Sequence, residues 1–308
     1  MPLITLFTAP KPFLNPHIST IQRNTLNNWK ALGEEVEVVV IGDEPGIEET
    51  CTQIGLRHLS DVRCNVQGTP LISSIFEFAR GVNNSPYLVY ANADIIFFPD
   101  IIDAIRTLSQ SSDLFLGIGQ RWDLDITEEI SYSTDWVTGL QQRLKTEAKL
   151  HGQTGSDYFV FPRACFQDIP DFAVGRAGWD NWMIFKARSQ HWPVIDMTQT
   201  VTIIHQNHDY AHLPGGEIHY RLPESMENIA LGGGRRTIFN LTDATHALVA
   251  GERLRKPLTW KTFWREVEIF PLISLHSRWL GWLSFAVFHP KKAFQEFKSA
   301  LVKMIRSR

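Results

Sequence analysis

An apolar run, Tyr87-Leu88-Val89-Tyr90, leads into Asn92-Ala93-Asp94 and resumes as Ile95-Ile96-Phe97-Phe98. A carboxylate inside so apolar a stretch is costly to bury alone and needs a cation or a hydrogen-bond partner. The β-branched and aromatic flanks predict a central strand that carries the polar step at its C-terminal end. Open α/β sheets bind their ligands off those strand ends. Read in isolation, Asp94 serves equally well as the cap of a following turn, so its meaning depends on the segments around it.

Those segments alternate. Residues 3–8 read as a short buried strand and 18–32 as an amphipathic helix with Ile21, Leu26, Trp29 and Leu32 near helical spacing. Residues 37–41 form a second strand closed by Gly42-Asp43, and 46–54 a short helix. Thr69 before Pro70 reads as an N-cap ahead of a helix running to about Arg80. Strand 87–91, a helix over 99–109 and strand 114–118 complete the pattern. Such alternation predicts an α/β fold with a mixed, mostly parallel sheet flanked by helices.

The second half is less regular. A charged helix is expected within 127–150, strands at 157–161 and 201–204, a Trp-rich stretch at 178–192 between them, and a helix over 223–231. After Gly251 the composition shifts: residues 269–288 are largely apolar but broken by Pro271, His276 and Arg278, and residues 291–308 carry six Lys/Arg against one Glu. A bilayer-spanning reading would place Arg278 near the hydrocarbon centre, at a cost of roughly 2.5–3.5 kcal/mol. The division expected is therefore 1–250 as the chemical domain and 251–308 as an amphipathic, Trp-rich, basic helical tail. That tail would either lie on an anionic membrane surface or pack on protein.

At 308 residues the chain can bury a substantial core. Its 30 Lys+Arg against 33 Asp+Glu argue against a nucleic-acid partner held by a global basic field. Three cysteines with no CxxC pair indicate neither zinc nor a disulfide framework. The N-terminus enters a strand without a basic, apolar leader, so the expectation is a cytoplasmic protein, peripheral on the inner membrane face if the tail binds lipid.

Polar residues at the strand ends suit three tasks. For gripping a nucleoside, the candidates are Thr8 in the loop after the first strand, Asp43 after the second, and Thr69 at a helix start. For a diphosphate and a hard cation such as Mn²⁺ or Mg²⁺, Asp94 is the primary ligand and Asn92 a neutral second. His208, in the cluster His205-Gln206-Asn207-His208-Asp209, adds an imidazole, which Mn²⁺ tolerates better. Arg235, after three glycines, can bring a guanidinium to phosphate or can be a solvated turn. For a hydroxyl acceptor, the carboxylates are Asp157 and Asp180. Asp180 lies between Trp179 and Trp182, which would stack on a sugar or else form core around a helix cap. Asp123 and Asp125 alternate like a strand face and would line the same cleft.

Taken in order, Gly42-Asp43, Gly68-Thr69-Pro70, Asn92-Ala93-Asp94, Gly155-Ser156-Asp157-Tyr158, Gly178-Trp179-Asp180-Asn181-Trp182 and the His205–Asp209 cluster resemble the GT-A glycosyltransferases, specifically a family-2-like bacterial group. The resemblance covers roughly the first 210 to 250 residues. It implies a GT-A-like, Rossmann-related fold, a DxD-type step at Asn92–Asp94, and an acceptor-side base at Asp180. The chain departs from the pattern at Asn92, in place of the first acidic residue, and at Trp179, in place of an acidic neighbour of the base. The expected function is transfer of a sugar from a nucleoside diphosphate sugar to a hydroxyl acceptor such as a glycolipid or polysaccharide. The alternatives are a sugar nucleotidyltransferase and a catalytically silent nucleotide-sugar or membrane-surface binding module.

Overall fold

The computed structural model describes residues 1–208, 222–250 and 252–306, with side chains to residue 298. The chain runs β1 (Ile4–Thr8), α1 (Pro16–Ala31), β2 (Val36–Ile41), α2 (Ile47–Ile54), β3 (Arg57–Leu59), α3 (Ile72–Gly81) and β4 (Tyr87–Ala91). It continues through β5 (Ile95–Phe97), α4 (Asp100–Ser109), β6 (Leu116–Ile118), β7 (Trp122–Leu124), α5 (Trp136–Thr146), β8 (Lys149–Leu150) and β9 (Tyr158–Pro162). The remainder is α6 (Trp179–Ser189), β10 (Val194–Asp196), β11 (Ile203–Gln206), α7 (Pro223–Leu231), β12 (His246–Val249), β13 (Glu252–Arg255), α8 (Trp260–Ile273), α9 (Arg278–Phe288) and α10 (Pro290–Arg306).

Nine strands form the main sheet in the order β13-β12-β10-β6-β9-β4-β1-β2-β3. β1, β2, β3 and β4 run parallel, as do β6, β10 and β12, while β9 lies antiparallel between β4 and β6. This is the mixed, mostly parallel fold class that the sequence resemblance implies. β4 is buried on both faces, as its near-continuous apolar run requires. The chain then bends at Asn92–Asp94, where the Ile95 amide donates to the Asn92 carbonyl at 3.1 Å. It leaves the main sheet for a second one, β5-β11-β7-β8.

The polar step is therefore a joint between two sheets, and registers on either side bring distant residues to it. Because β9 is antiparallel to β4, its start lies beside the end of β4: Tyr158 pairs with Ala91, and the Asn92 amide donates to the Asp157 carbonyl at 3.0 Å. Because β11 is antiparallel to β5, His205 pairs with Ile95 and the Gln206 amide reaches the Asp94 carbonyl at 3.1 Å.

Two local expectations are corrected, and the Trp-rich stretch, left open by the sequence, is assigned. Thr69 is not an N-cap: its backbone is committed to Asn65 on both sides, and α3 begins three residues later with the Ile72 amide donating to the Phe172 carbonyl. The charged helix is shorter than 127–150, because the buried Asn24 side chain pins the Glu128 carbonyl and the Ile130 amide at 2.9 and 2.8 Å outside helical geometry. The Trp-rich stretch is the helix α6, with Trp179 and Trp182 in the core.

Candidate functional site

Asp94 Oδ2 accepts from His208 Nε2 at 3.2 Å, and His205 Nε2 lies 3.8 Å from the same oxygen. One ligand atom from each of Asp94, His205 and His208 falls within 4.8 Å of the others. His205 thus joins the Asp94–His208 pair that the sequence singles out. Asp209, the last residue of that cluster, lies outside the described residues.

The donors fit a divalent cation. Asp94 Oδ1 is buried and has no hydrogen-bond partner among the described residues, an arrangement that costs free energy unless something electropositive faces it. One carboxylate oxygen with two imidazoles suits Mn²⁺ better than Mg²⁺. Burial alone would raise the Asp94 carboxyl. The His208 hydrogen bond, with the charges of His205, His208 and Lys11, outweighs it and holds the group down at about 2. Burial lowers His205 from its ordinary value, which favours the neutral, ligating imidazole. The Asp94 side chain keeps 17% of its surface exposed, so the carboxylate is not sealed off from solvent.

Behind the imidazoles stands a charged network. His205 Nδ1 lies 3.4 Å from Asp123 Oδ1, within charge-pair distance although not aligned as a hydrogen bond. Asp123 also receives His151 Nδ1 at 2.7 Å and Arg121 Nε at 2.9 Å. Burial works to raise Asp123, but the His151 hydrogen bond and the Arg121 charge hold it below its ordinary value. Arg121 donates onward to Asp157 Oδ1 at 2.7 Å, and Asn92 Nδ2 reaches that same oxygen at 3.1 Å. Asn92 therefore holds Asp157, its own oxygen accepting from the Tyr90 hydroxyl at 3.4 Å. Asp125, by contrast, accepts from Asn207 at 2.8 Å.

Asp180 sits in the first turn of α6, where its carboxylate accepts from the Gly178 amide at 3.2 Å. Burial pushes it up to about 6, helped by the charge of Asp157 and opposed by backbone hydrogen bonds from Asn181 and Gly178. The flanking tryptophans are not sugar platforms. Trp179 meets Tyr90 edge-on at 5.0 Å and Trp182 meets Phe172 at 5.2 Å, both inside the core. Burial raises Tyr90, and so do the charges of Asp94 after β4, Asp157 before β9 and Asp180 in the first turn of α6.

The nucleoside candidates are more scattered. The Thr8 hydroxyl is buried at the end of β1 without a partner among the described residues, and Asp43 is exposed beyond β2. Thr69 hydrogen-bonds Glu224, which Asn65 and Arg176 also hold. Arg235 lies on the wall of a cavity of about 170 Å³ whose other lining residues, among them Arg265, Phe285 and His289, include none of the Asp94 cluster. The sequence reading missed Arg121 and His151 at the site and left Lys11 without a role. Arg121 and Asp123 do carry a signal, since i and i+2 on a strand share a face.

No protein-family model matches the chain, and no curated protein matches it in sequence. Among solved structures it is similar to a mannosyltransferase from Pyrobaculum calidifontis in complex with GDP-Man and Mn²⁺, at 11% identity and TM-score 0.44 over 75% of this chain and 63% of that one. It is similar to glucosyl-3-phosphoglycerate synthase from Mycobacterium tuberculosis at 14% identity and TM-score 0.47, over 84% and 88% of the two chains. It is also similar to S. aureus TarS with UDP-GlcNAc, at 12% identity and TM-score 0.46, over 75% and 66%.

Proposed function

We propose that this chain is a glycosyltransferase that moves a sugar from a nucleoside diphosphate donor to a hydroxyl acceptor. The observation that carries the reading is the convergence of Asp94, His205 and His208 on one locus at the joint of two sheets, with an Asp94 oxygen that has no hydrogen-bond partner among the described residues and with Asp157 held by Asn92 beside it. Asp94, His205 and His208 would hold a divalent cation there, and that cation would supply charge neutralisation for the leaving diphosphate.

The remaining work falls to the protein's own groups. Lys11, whose charge bears on Asp94, adds a cationic group on the diphosphate side. Asp43, exposed after β2, would accept hydrogen bonds from ribose hydroxyls or base amides. Asp180, ionised above about pH 6, takes the proton of the acceptor hydroxyl. The acceptor oxygen forms its bond to the anomeric carbon while the bond from that carbon to the diphosphate oxygen breaks, the electron pair leaving with the diphosphate. Asp157, ion-paired with Arg121 and hydrogen-bonded by Asn92, holds the Asn92–Asp94 turn in place.

The test is a product assay with Mn²⁺, a panel of nucleoside diphosphate sugars and a mixed acceptor pool. Release of nucleoside diphosphate that depends on the acceptor and is lost in Asp94→Asn supports transfer. Release of pyrophosphate from a nucleoside triphosphate and a sugar phosphate would instead assign the chain as a nucleotidyltransferase. Binding of a donor without turnover of either kind would leave a silent binding module.

A further inference from the structure

The last helices present their apolar residues outward. On α8, Trp260, Phe263, Trp264, Val267 and Phe270 are exposed at i, i+3, i+4, i+7 and i+10, one stripe of a helix. The opposite stripe, Ile269, Leu272 and Ile273, belongs to the main core. On α9, Trp279, Trp282, Leu283 and Val287 repeat the pattern, while Gly281 packs on Leu272. The two helices form an antiparallel pair: Trp264 meets Phe288 at 5.9 Å, Ser284 donates to the Glu268 carbonyl at 2.7 Å, and His289 meets Glu268 at 3.0 Å. On α10, Phe294 and Phe297 are also exposed, at 69% and 61%. Trp260, Trp279 and Val287 are 74%, 68% and 71% exposed, on helices whose inner sides are already satisfied. Soluble monomers rarely leave so contiguous an apolar patch in water.

Charge identifies what covers it. After residue 250 the chain has twelve Lys/Arg and four Asp/Glu, whereas residues 1–250 have eighteen and twenty-nine. Lys261, Arg278, Lys291, Lys292 and Lys298 are exposed on the same three helices as the aromatic stripe. A second copy of the chain would bring two such cationic surfaces together. An anionic lipid surface satisfies both features, because tryptophans settle at headgroup depth and lysines reach phosphates. No helix among the described residues is long and apolar enough to cross a bilayer, so contact would be with one leaflet.

We infer that α8, α9 and α10 dock the protein on an anionic membrane surface through this outward stripe. The inference is independent of the chemistry proposed for the Asp94 site. It is tested with the full chain by flotation with vesicles of phosphatidylcholine alone and of phosphatidylcholine mixed with phosphatidylglycerol. The protein floats with the mixed vesicles only, and less as salt rises. Lys291→Gln/Lys292→Gln/Lys298→Gln lowers partitioning by about 100-fold. Trp260→Ser/Trp279→Ser/Val287→Ser abolishes flotation while the circular dichroism spectrum is unchanged; should that variant misfold, the lysine set still decides. Failure of the wild-type chain to float with anionic vesicles overturns the inference, as does flotation that neither variant reduces. A dimer in sedimentation equilibrium that dissociates in the tryptophan variant would give the face to a second copy and also overturn it.

Discussion

The carboxylates at the ends of β4 and α6 are held at opposite set points, Asp94 at about 2 and Asp180 at about 6. In the proposed reaction that separation would divide labour: one group would stay anionic to bind a cation while the other would exchange a proton near neutral pH. For Asp94→Asn, Mn²⁺ affinity measured by calorimetry is expected to fall about 100-fold or more, since a charged ligand becomes a neutral one. For Asp180→Asn, kcat is expected to fall by roughly 10²–10⁴. The wild-type rate should rise with pH through about 6 as Asp180 ionises, and the variant should lose that acid limb. Stability responds with the opposite sign. The native carboxyl binds its proton more tightly than the unfolded one at 3.8, so its contribution is fully present below about 4 and lost as pH rises through about 6. Urea unfolding of Asp180→Asn across that window should show a flatter pH dependence than wild type.

At the scale of elements, legibility followed how locally each boundary is determined. The bounds of β4 and α7 are readable because an apolar run and a Pro-to-Gly frame mark them within a few residues. The start of α3 and the extent of α5 are not, because Phe172 and Asn24, remote in sequence, decide them. The site follows the same rule. Asp94, His208 and Asp180 stand out from their own neighbours, whereas the Asp123–His205 contact exists only because β7 pairs with β11 in parallel register, His205 opposite Asp123. α6 supplies the prediction at this scale. Gly178 caps it with φ +109°, and an added Cβ would stand 3.0 Å from Ile229 Cγ1. Gly178→Ala is expected to cost about 1–3 kcal/mol in urea unfolding. It should also lower kcat, since the turn it distorts carries Asp180.

For the whole molecule, the question is whether the C-terminal helices are an appendage or part of the folding unit. Ile269, Leu272 and Ile273 share one cluster with Phe7, Leu88 and Trp182, so α8 completes the core on one face of the main sheet. The join is also ionic. Arg265 reaches both oxygens of Asp243, at 2.8 and 3.4 Å, and the Asp243 side chain is only 2% exposed. Arg188, itself buried, donates to the Asp243 carbonyl at 2.6 Å and to Glu266 at 2.6 Å. Removing one member of such a pair strands a buried charge. Arg265→Ala should therefore cost about 3 kcal/mol, the low end of the usual range because Arg265 keeps 34% of its side chain exposed. The loss should appear as one transition moved to lower urea, with tryptophan fluorescence, to which α8 and α9 contribute four of the ten tryptophans, coinciding with circular dichroism. If fluorescence moved alone, α8 and α9 would be unfolding as a separate unit, and the shared cluster would not couple them to the strands that carry Asp94.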